Sequence, residues 1–528
     1  MKLITKINEE EGLMSLYRFT NLEDGAKTYP LSLNLIINGV NSDEKYTGNY
    51  IFKTLNVKGR ETAHLGVKSR VIPGRHGSKV IDSRLPERII GVKTLLRTST
   101  NEDYRLFIDE LSSLLTSDEL LKIEFTDEKV FYRGYLTDVS SAYENSNDNI
   151  LEFTFTCYDP FKYSKDTFKN TAYADNVSVV NNGTHSTPFA LEATALKDSP
   201  YFMVTDVENN HFMIGEDNEE LELKNYSPAL LTNEFRDKLG FSRAGETESI
   251  PDRYLGGTLG ASFGQNPETW FLNLNTVKQD KCWRGGAYSR SFNRTAQNFR
   301  TTFKINVHQR DMGSGKIGQF IYDENNRLMF SVGYQNVHSS KDSGRILFMA
   351  YNEAGEERML WGPQIPAKLK RIKVLTIYFR LERIGERLIM SYWFYDDTNK
   401  EGRHPHTLLQ PVKQHVFNDS GKFYQRKVAS TKFGIFRGNG KHRLLTALGL
   451  YMYELLDKPT DAVDYIIKQG DIITLDTQTK DISINGIPML KEKSLSSNFF
   501  ELQSGLTNLL IAPEETFDTV VKWRDRYK

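Results

Sequence analysis

Short segments of alternating apolar and polar residues, separated by turn residues, run through most of this 528-residue chain. Leu31–Ile37 and Ile150–Phe155 are clear examples, since apolar side chains recur at every second position. A period of two is typical of half-buried β-strands, whose successive side chains point to opposite faces of a sheet. The aromatic content of 12% favours the same interpretation. The chain is therefore predicted to be mainly β.

One segment departs from this pattern and predicts a helix. Between Asn101 and Leu115, apolar side chains recur at every third or fourth position, which places them on one helical face. Thr100 or Asn101 can cap the first turn of this helix. Strand patterns joined by a turn at Asp127–Lys129 follow it. Residues 1–165 are therefore predicted to form an α+β domain with a single prominent helix.

A polar and basic stretch, residues 58–88, precedes the helix and has too few apolar residues to form a core of its own. It is either a flexible loop or an arm that becomes ordered against a neighbouring subunit. For the second interpretation, the candidate contacts between subunits are Arg70, Arg75, His76 and Arg84.

Strand patterns that begin near residue 187 stop at an acidic run, Glu216–Glu222, and resume only at Asp464. Neither half has enough strands for two packed layers, whereas the two halves together do. We therefore predict one β-sandwich, formed by residues 166–228 and 459–528 and split by a long insertion. A surface turn tolerates such an insertion because loop-closure entropy grows slowly with length.

The insertion, residues 229–458, is rich in aromatic residues and in strand patterns with recurring turn signals. Its strands have the spacing of a lectin-like or jelly-roll β-sandwich. The sequence thus predicts a second sandwich inside the first one.

Charge balance, cysteine content and apolar runs argue against several classes of protein. Basic and acidic residues balance at 68 each, which argues against a nucleic-acid partner. The only cysteines, Cys157 and Cys282, are interpreted as buried free thiols, without a disulfide framework or a metal cluster. No secretory signal is evident, and no stretch approaches the about 20 apolar residues of a membrane span. We expect a chain that stays in the cytoplasm until assembly, with no membrane insertion and no cofactor.

The first and last regions resemble the distal tail protein (Dit) family of siphophages, which are long-tailed phages. The resemblance is carried by the helix with its following strands and by the segments Phe153–Phe161, Asn182–Pro188, Gly470–Gly486 and Trp523–Tyr527. Together these segments cover roughly the first 215 and the last 70 residues. Each is a fold-and-register pattern, and none is a catalytic signature.

The resemblance implies a hexameric ring beneath the tail tube, formed by the N-terminal domain, and a galectin-like C-terminal sandwich. It implies that residues 58–88 are a ring-closing belt and that the insertion is a carbohydrate-binding-module-like domain, as in the larger, "evolved" members. The implied partners are the tail tube protein, tail-associated and receptor-binding proteins, and host cell-wall polysaccharide or teichoic acid. The implied location is the tail tip of the virion.

Sugar recognition needs an aromatic face for the apolar side of a pyranose ring and nearby polar groups for its hydroxyls. The residues of the insertion that fit are Trp283, Arg284, Tyr288, Trp270, Trp361 and Arg294. Trp283 is the first choice, because basic residues and Gly285-Gly286 surround it in an apparent loop. The alternative for each tryptophan is a place in the core of the sandwich, and we interpret Trp393 as part of the core or of a wall.

Basic side chains recur from Lys281 to Arg310 with no acid between them. This stripe could bind an anionic wall polymer, or it could be a solvated strand face. Among the histidines, only His404 and His406 have a spacing that could suit a metal, and two ligands do not define a metal site.

The sequence lacks the catalytic signatures that would indicate an enzyme. No carboxylates alternate along one strand as a glycosidase of this fold class would require, and no P-loop or Gly-x-Ser-x-Gly elbow is present. We expect a structural protein without catalytic residues. The alternatives are a free-standing glycan-binding adhesin and a cell-wall glycoside hydrolase.

Overall fold

A computed structural model describes residues 33–45, 50–61, 63–74, 76–116, 120–141, 148–217, 222–235, 240–245, 248–266, 269–278, 282–309, 312–398, 408–459 and 462–528. Its first elements are β1 (Leu35–Ile37), β2 (Val40–Asn41), α1 (Ser42–Lys45), β3 (Tyr50–Lys58), β4 (Gly66–Val71), β5 (Ser78–Arg84), β6 (Arg88–Thr98), α2 (Asn101–Leu115), β7 (Leu121–Phe125), β8 (Val130–Ser141), β9 (Asp148–Cys157) and β10 (Lys162–Ser164).

The N-terminal sheet has the order β2-β1-β7-β8-β9-β6-β3, with antiparallel neighbours. Helix α2 covers one face of it by packing Phe107, Leu111 and Leu115 into the core. The ring centroids of Phe107 and Phe52 of β3 lie 5.5 Å apart. Thr100 caps the helix, since its side chain accepts a hydrogen bond from the backbone N–H of Asp103 at 3.1 Å.

The next elements are β11 (Phe168–Thr171), β12 (Asn176–Asn181), β13 (Phe189–Ala195), β14 (Tyr201–Asp206), β15 (His211–Gly215) and β16 (Glu222–Lys224). The insertion then contains β17 (Ala229–Asn233), β18 (Ser242–Arg243), β19 (Phe263–Asn266), β20 (Thr269–Leu272), β21 (Arg284–Ala296), β22 (Phe299–His308), β23 (Gly315–Asp323), β24 (Leu328–Asn336), β25 (Arg345–Tyr351), β26 (Glu357–Trp361), β27 (Val374–Ile384), β28 (Arg387–Asp396), β29 (Lys413–Asn418), β30 (Val428–Arg437) and β31 (Leu445–Glu454).

The chain ends with β32 (Ala462–Asp464), β33 (Ile472–Asp476), β34 (Asp481–Ile484), β35 (Ile487–Pro488), β36 (Gly505–Ala512), β37 (Phe517–Trp523) and β38 (Arg526–Tyr527). Short 3₁₀ turns lie at Leu274–Thr276, Ala367–Arg371 and Leu490–Glu492. Strand β38 returns to the first domain, where it pairs with β10.

Strands from both sides of the insertion form the split sandwich, which we call the carrier sandwich. One sheet has the order β11-β37-β13-β33-β34-β35, and the facing sheet has the order β12-β36-β14-β15. Leu191 of β13 and Leu475 of β33 are paired neighbours in the first sheet and share one core with Val204 and Ile511 of the second. Residues that are almost 300 positions apart are thus packed together, as the sequence predicted.

The insertion folds as a sandwich of its own. One sheet has the order β19-β20-β31-β22-β27-β28-β29, with β17 also beside β31, and it faces a sheet with the order β18-β21-β30-β23-β24-β25-β26. Between them lies a large aromatic and aliphatic core. The chain enters and leaves along β16 and β32, which pair in parallel.

The fold class predicted from the sequence is confirmed: the described residues are mainly β, with α2 as the one prominent helix and with one sandwich interrupted by another. The domain boundaries at residues 165, 228 and 458 stay predictions. Residues 1–32 of the first domain lie outside the described residues.

Candidate functional site

Trp283 lies at an open pocket of about 320 Å³ on the inserted sandwich. The pocket is lined by residues 249–253 and 256–258, by Cys282 and Trp283, and by Lys316 of β23. A volume of this size is at the lower end of the range for small-ligand sites, which is roughly 300–1,000 Å³. The half-buried indole of Trp283 provides its aromatic wall.

The segment from residue 249 to 259 forms the pocket by folding over the outer face of the β23 sheet. Strand β23 alternates, so Ile317 and Ile321 enter the core between the sheets, whereas Phe320 and Tyr322 point outward. The outward side chains would be exposed without a cover. Apolar residues of the covering segment bury them in a separate cluster that includes Ile250, Leu255 and Leu259.

Asp252 holds this covering segment in place. Its carboxylate accepts hydrogen bonds from the backbone N–H groups of Tyr254 and Leu255, both at 2.8 Å, and from the hydroxyl of Ser331 in β24. Gly257 lets the segment approach closely, because a Cβ atom there would lie 2.8 Å from the ring of Phe436 and 2.9 Å from the carbonyl oxygen of Trp283. The pocket wall is therefore rigidly attached to the sheet.

Lys316 lies at the floor of the pocket with only 2% of its surface exposed. Its Nζ donates hydrogen bonds to the carbonyl oxygens of Arg253 at 3.3 Å and Gly256 at 3.1 Å. The same nitrogen lies 4.4 Å from the centroid of the Trp283 ring, which is a cation–π contact. Burial lowers the pKa of Lys316 to about 8, and the nearby Asp252 carboxylate opposes this shift.

The structure does not place all of the predicted sugar-binding residues at this pocket. Trp270 has none of its surface exposed and packs 5.1 Å from the ring of Tyr288, which is also buried in the core. Neither ring presents a face to solvent, so neither fits the role predicted from the sequence. The physical reason is the period of the strands, which points both side chains between the sheets.

Trp361 lies elsewhere on the insertion, at the open edge where β26 ends. Its half-buried ring lies 4.8 Å from the ring of Tyr392 and 5.6 Å from that of the exposed His415. The sheet order separates β26 from β21 by five strand spacings, which is roughly 24 Å. Trp361 and Trp283 therefore do not form one site.

The basic stripe is largely engaged within the chain. Arg294 Nε lies 2.6 Å from Glu454 Oε2, and Arg300 Nε lies 3.0 Å from Glu382 Oε1. Arg284 begins β21, is half-buried and pairs in register with Arg437 of β30. These contacts are those of a strand face with intramolecular ion pairs. Lys281 and Arg310, at the ends of the stripe, lie outside the described residues.

Trp393, interpreted from the sequence as a core or wall residue, joins the insertion to the carrier sandwich. Its indole Nε1 donates a hydrogen bond of 2.9 Å to the carbonyl oxygen of Gly486, in the turn between β34 and β35. Its ring stacks on Tyr378 at 5.1 Å with an interplanar angle of 15°, and Ile487 packs against the pair. The Asn485-Gly486 dipeptide signals a turn in the sequence, but nothing in the sequence names its partner.

The cysteines correct one prediction. Cys157 is a buried free thiol whose burial raises its pKa to about 12, whereas Cys282 is exposed at the pocket beside Trp283. Within the described ranges, no group of three or more His, Cys, Asp or Glu side chains could hold a metal ion. His404 and His406 fall outside those ranges.

The basic stretch before α2 is an exposed hairpin, β4–β5, which we call the arm. The side chains of Val67, Val71 and Val80 share one face of it, because Val80 pairs with Ser69 and strand residues two apart lie on the same side. All three are more than half exposed. The predicted contacts Arg70, His76 and Arg84 are exposed as well. Arg75 lies outside the described residues.

The base of the arm is held firmly. Arg88 donates hydrogen bonds to the carbonyl oxygens of Pro160 at 2.8 Å and Glu61 at 2.9 Å. Arg60 Nη1 lies 2.9 Å from Asp127 Oδ1 and 3.1 Å from the buried Glu128. The arm therefore projects from a fixed base.

No described helix is long and apolar enough to cross a membrane.

Two family models match the chain, one on each side of the insertion. Residues 49–157 match the model described as "Phage tail protein RIFT-related domain", and residues 452–527 match "Siphovirus-type tail component, C-terminal domain". Residues 49–157 and 452–527 are thus regions of a siphophage tail component. Together they correspond to the two domains of a distal tail protein, and the insertion lies between them.

Solved structures give distant likenesses. The Dit protein of phage SPP1 is 20% identical, with 35% of this chain and 74% of that chain covered and a TM-score of 0.31. The CBM2 module of the evolved Dit of Lactobacillus casei BL23 phage J-1 is 13% identical, with 45% of this chain and 99% of that module covered and a TM-score of 0.35. A glycoside hydrolase family 16 endo-glucanase from Bacteroides ovatus is 10% identical, with 42% of this chain and 99% of that chain covered and a TM-score of 0.29. The search of curated proteins found no match.

Proposed function

We propose that the protein forms a hexameric ring at the tail tip, where it joins the tail tube to the receptor-binding apparatus, and that its insertion binds a saccharide of the host cell wall. The family models on both sides of the insertion support the tail role. The pocket beside Trp283 is the single observation that supports saccharide binding. The domain division at residues 165, 228 and 458 is part of this proposal.

The arm supports assembly into a ring. An isolated β-hairpin is marginally stable at best in water, because its faces are solvated and it has no core. This arm exposes Val67, Val71 and Val80 on one face. A neighbouring subunit that covers this face would bury the valines and stabilise the hairpin. The arm's opposite face carries Arg70.

Arm variants test the ring. Mass photometry and negative-stain electron microscopy of the purified full chain should show a hexameric ring. Replacing Val71 and Val80 together by Asp should shift the protein to monomers, because two carboxylates would be buried at the contact. Arg70→Asp changes the net charge of the arm by the same amount, but on the opposite face, and is the matched control. Disruption by Arg70→Asp alone would instead support the arginine contact predicted from the sequence, and a monomeric parent protein would refute the ring.

The pocket supports saccharide binding because it combines an aromatic wall with backbone and side-chain polar groups, which is what a pyranose ring requires. Trp283→Ala should abolish binding of the full-length protein to wall preparations in a sedimentation assay. Trp361→Ala, at the distant edge, is the matched control. Equal loss in both variants would contradict the assignment of the site. Loss in Trp361→Ala alone would move the site to the edge of the sandwich.

We also propose that the protein is not catalytic. Glu382, which stands alone in its strand, is paired with Arg300, and Asp397 accepts a hydrogen bond from Asn306 Nδ2 at 2.8 Å. Carboxylates engaged in this way are poorly placed to protonate a glycosidic oxygen. A turbidity assay on host walls should show no clearing, and clearing that Glu382→Gln abolishes would overturn this part of the proposal.

A further inference from the structure

Lys316 is a buried cation at the floor of the pocket, and the contacts of its ammonium group are unusual. It donates hydrogen bonds to the carbonyl oxygens of Arg253 and Gly256 and lies over the ring of Trp283. Among the described residues, no carboxylate oxygen lies within the 4.0 Å of its nitrogen that an ion pair requires. Buried charges are normally paired with an opposite charge, because desolvation of an ammonium group is unfavourable.

The carboxylate of Asp252 stabilises this cation through space but does not form an ion pair with it. The carboxylate of Asp252 accepts hydrogen bonds from Ser331 and from the backbone N–H groups of Tyr254 and Leu255. Its oxygens are therefore engaged on the side of the sheet. The remaining charged residue of the lining is Arg253, which is exposed at the rim and adds a second positive charge.

On the basis of the proposed saccharide site, we propose that the pocket recognises an anionic substituent, a carboxylate or a phosphate, on the bound saccharide. Lys316 provides the counter-charge at the floor, Arg253 attracts the anion at the rim, and the indole of Trp283 contacts the sugar ring. A bound anion completes the charge pairing that the free pocket lacks, and its attraction to the ammonium is stronger than in bulk water because Lys316 itself is buried.

The basic stripe of β21 and β22 is the competing location for an anion, and its geometry fits less well. Arg294 and Arg300 already pair with Glu454 and Glu382. An anionic polymer would have to displace these carboxylates before it could bind. Lys316 has no carboxylate of the described chain to displace.

The test uses the full-length protein and immobilised polysaccharides in a biolayer interferometry assay. The probes are polygalacturonate for carboxylates, poly(glycerol phosphate) for phosphates, and pullulan as a neutral polymer. We expect one acidic polymer to bind at least tenfold more tightly than pullulan, and the preferred polymer identifies the anion. Lys316→Met, which keeps the length of the side chain, should remove this preference.

Lys432→Met is the matched control, because Lys432 lies on the same sheet over the ring of Tyr322, at 4.8 Å, but outside the pocket lining. Arg253→Gln, at an exposed position, gives a second variant in case Lys316→Met does not fold, and it should weaken acidic binding severalfold. Pullulan binding equal to that of both acidic polymers, or an unchanged preference in both pocket variants, would overturn the anion proposal and leave the saccharide site intact. No binding of any polymer, with Trp283→Ala also unchanged on wall preparations, would overturn the saccharide site itself.

Discussion

Gly486→Ala should detach the inserted sandwich from the carrier sandwich. Gly486 lies in the β34–β35 turn, where φ is +75°, and its carbonyl oxygen accepts the hydrogen bond from Trp393. A Cβ atom there would lie 2.0 Å from the Oη of Tyr378 and 2.6 Å from its Cζ. Tyr378 cannot move aside easily, because it is fully buried and stacked on Trp393. The turn would have to withdraw instead.

The expected loss of stability follows from these contacts. An alanine in the left-handed region is unfavourable by about 1–2 kcal/mol. Withdrawal of the turn leaves the buried indole N–H of Trp393 without its acceptor, which costs about 1–3 kcal/mol. The interface should therefore weaken by roughly 3 kcal/mol in total, summed from these two terms.

Gly470→Ala is the matched control for Gly486→Ala. Gly470 also has a positive φ, +87°, and lies in the same sandwich, but a Cβ atom there would meet nothing within 4 Å. The Gly470→Ala variant therefore measures only the free-energy cost of an alanine in the left-handed region. Hydrogen exchange by mass spectrometry should show faster exchange at β34–β35 and β27–β28 in Gly486→Ala and not in Gly470→Ala. Equal unfolding curves and exchange rates for the two variants would refute the reasoning.

A double-mutant cycle sharpens the test. Tyr378→Phe removes the Oη that lies 2.0 Å from the added Cβ but keeps the ring carbon at 2.6 Å. The Tyr378 hydroxyl has no hydrogen-bond partner in the described part of the chain, so this change alone should have little effect. Combined with Gly486→Ala, it should restore part of the lost stability.

Three further predictions concern stability, measured by chemical or thermal unfolding. Trp393→Phe keeps an aromatic side chain but removes the N–H donor and part of the buried indole, and should destabilise the interface by about 1 kcal/mol or more; an unchanged midpoint would contradict the role of this contact. Thr100→Ala should cost about 1 kcal/mol through loss of the cap of α2, whereas Ser113→Ala, in the body of the same helix, should not destabilise. Burial lowers the pKa of His442 to about 4, below the ordinary value of 6.5, so the unfolded chain binds the proton more tightly than the folded chain does. The free energy of unfolding should therefore fall as the pH drops from 6.5 to 4. The expected loss is about 2 kcal/mol after allowance for the partial exposure of the imidazole. His442→Gln should flatten that part of the pH profile, and an unchanged profile would count against the buried neutral imidazole.

The sequence predicted local structure well because local structure depends on residues that are near one another in the chain. The apolar spacing from Asn101 to Leu115 and a possible cap at Thr100 or Asn101 predicted α2, and the structure confirms the helix with Thr100 as its cap. Alternation indicated the strands, including those on both sides of the insertion. Alternation of apolar and polar residues could not reveal β23, because this strand is buried on both faces. The segment around Asp252 covers the face that would otherwise be exposed.

The site depended on tertiary structure. Trp283 and Trp270 are similar in the sequence, since both lie in turn-rich segments rich in polar residues, yet one borders a pocket and the other is in the core. The segment that builds the pocket lies more than 20 positions before Trp283, and Lys316 lies more than 30 positions after it; no pattern in the sequence links them.

The sequence by itself determined the class of this protein: a mainly β chain in which two halves of one sandwich flank another, with the segments that mark a distal tail protein at both ends. The β class and the split sandwich follow from side-chain periodicity and from turn residues, which act within a few positions, whereas the distal tail segments were identified by their resemblance to that family. Only the tertiary structure decided which aromatic rings face solvent, that Trp393 binds the turn at Gly486, and that a buried ammonium lies beneath Trp283. Contacts of this kind join residues distant in the chain, and their free energy depends on packing and burial that exist only once the sheets have come together.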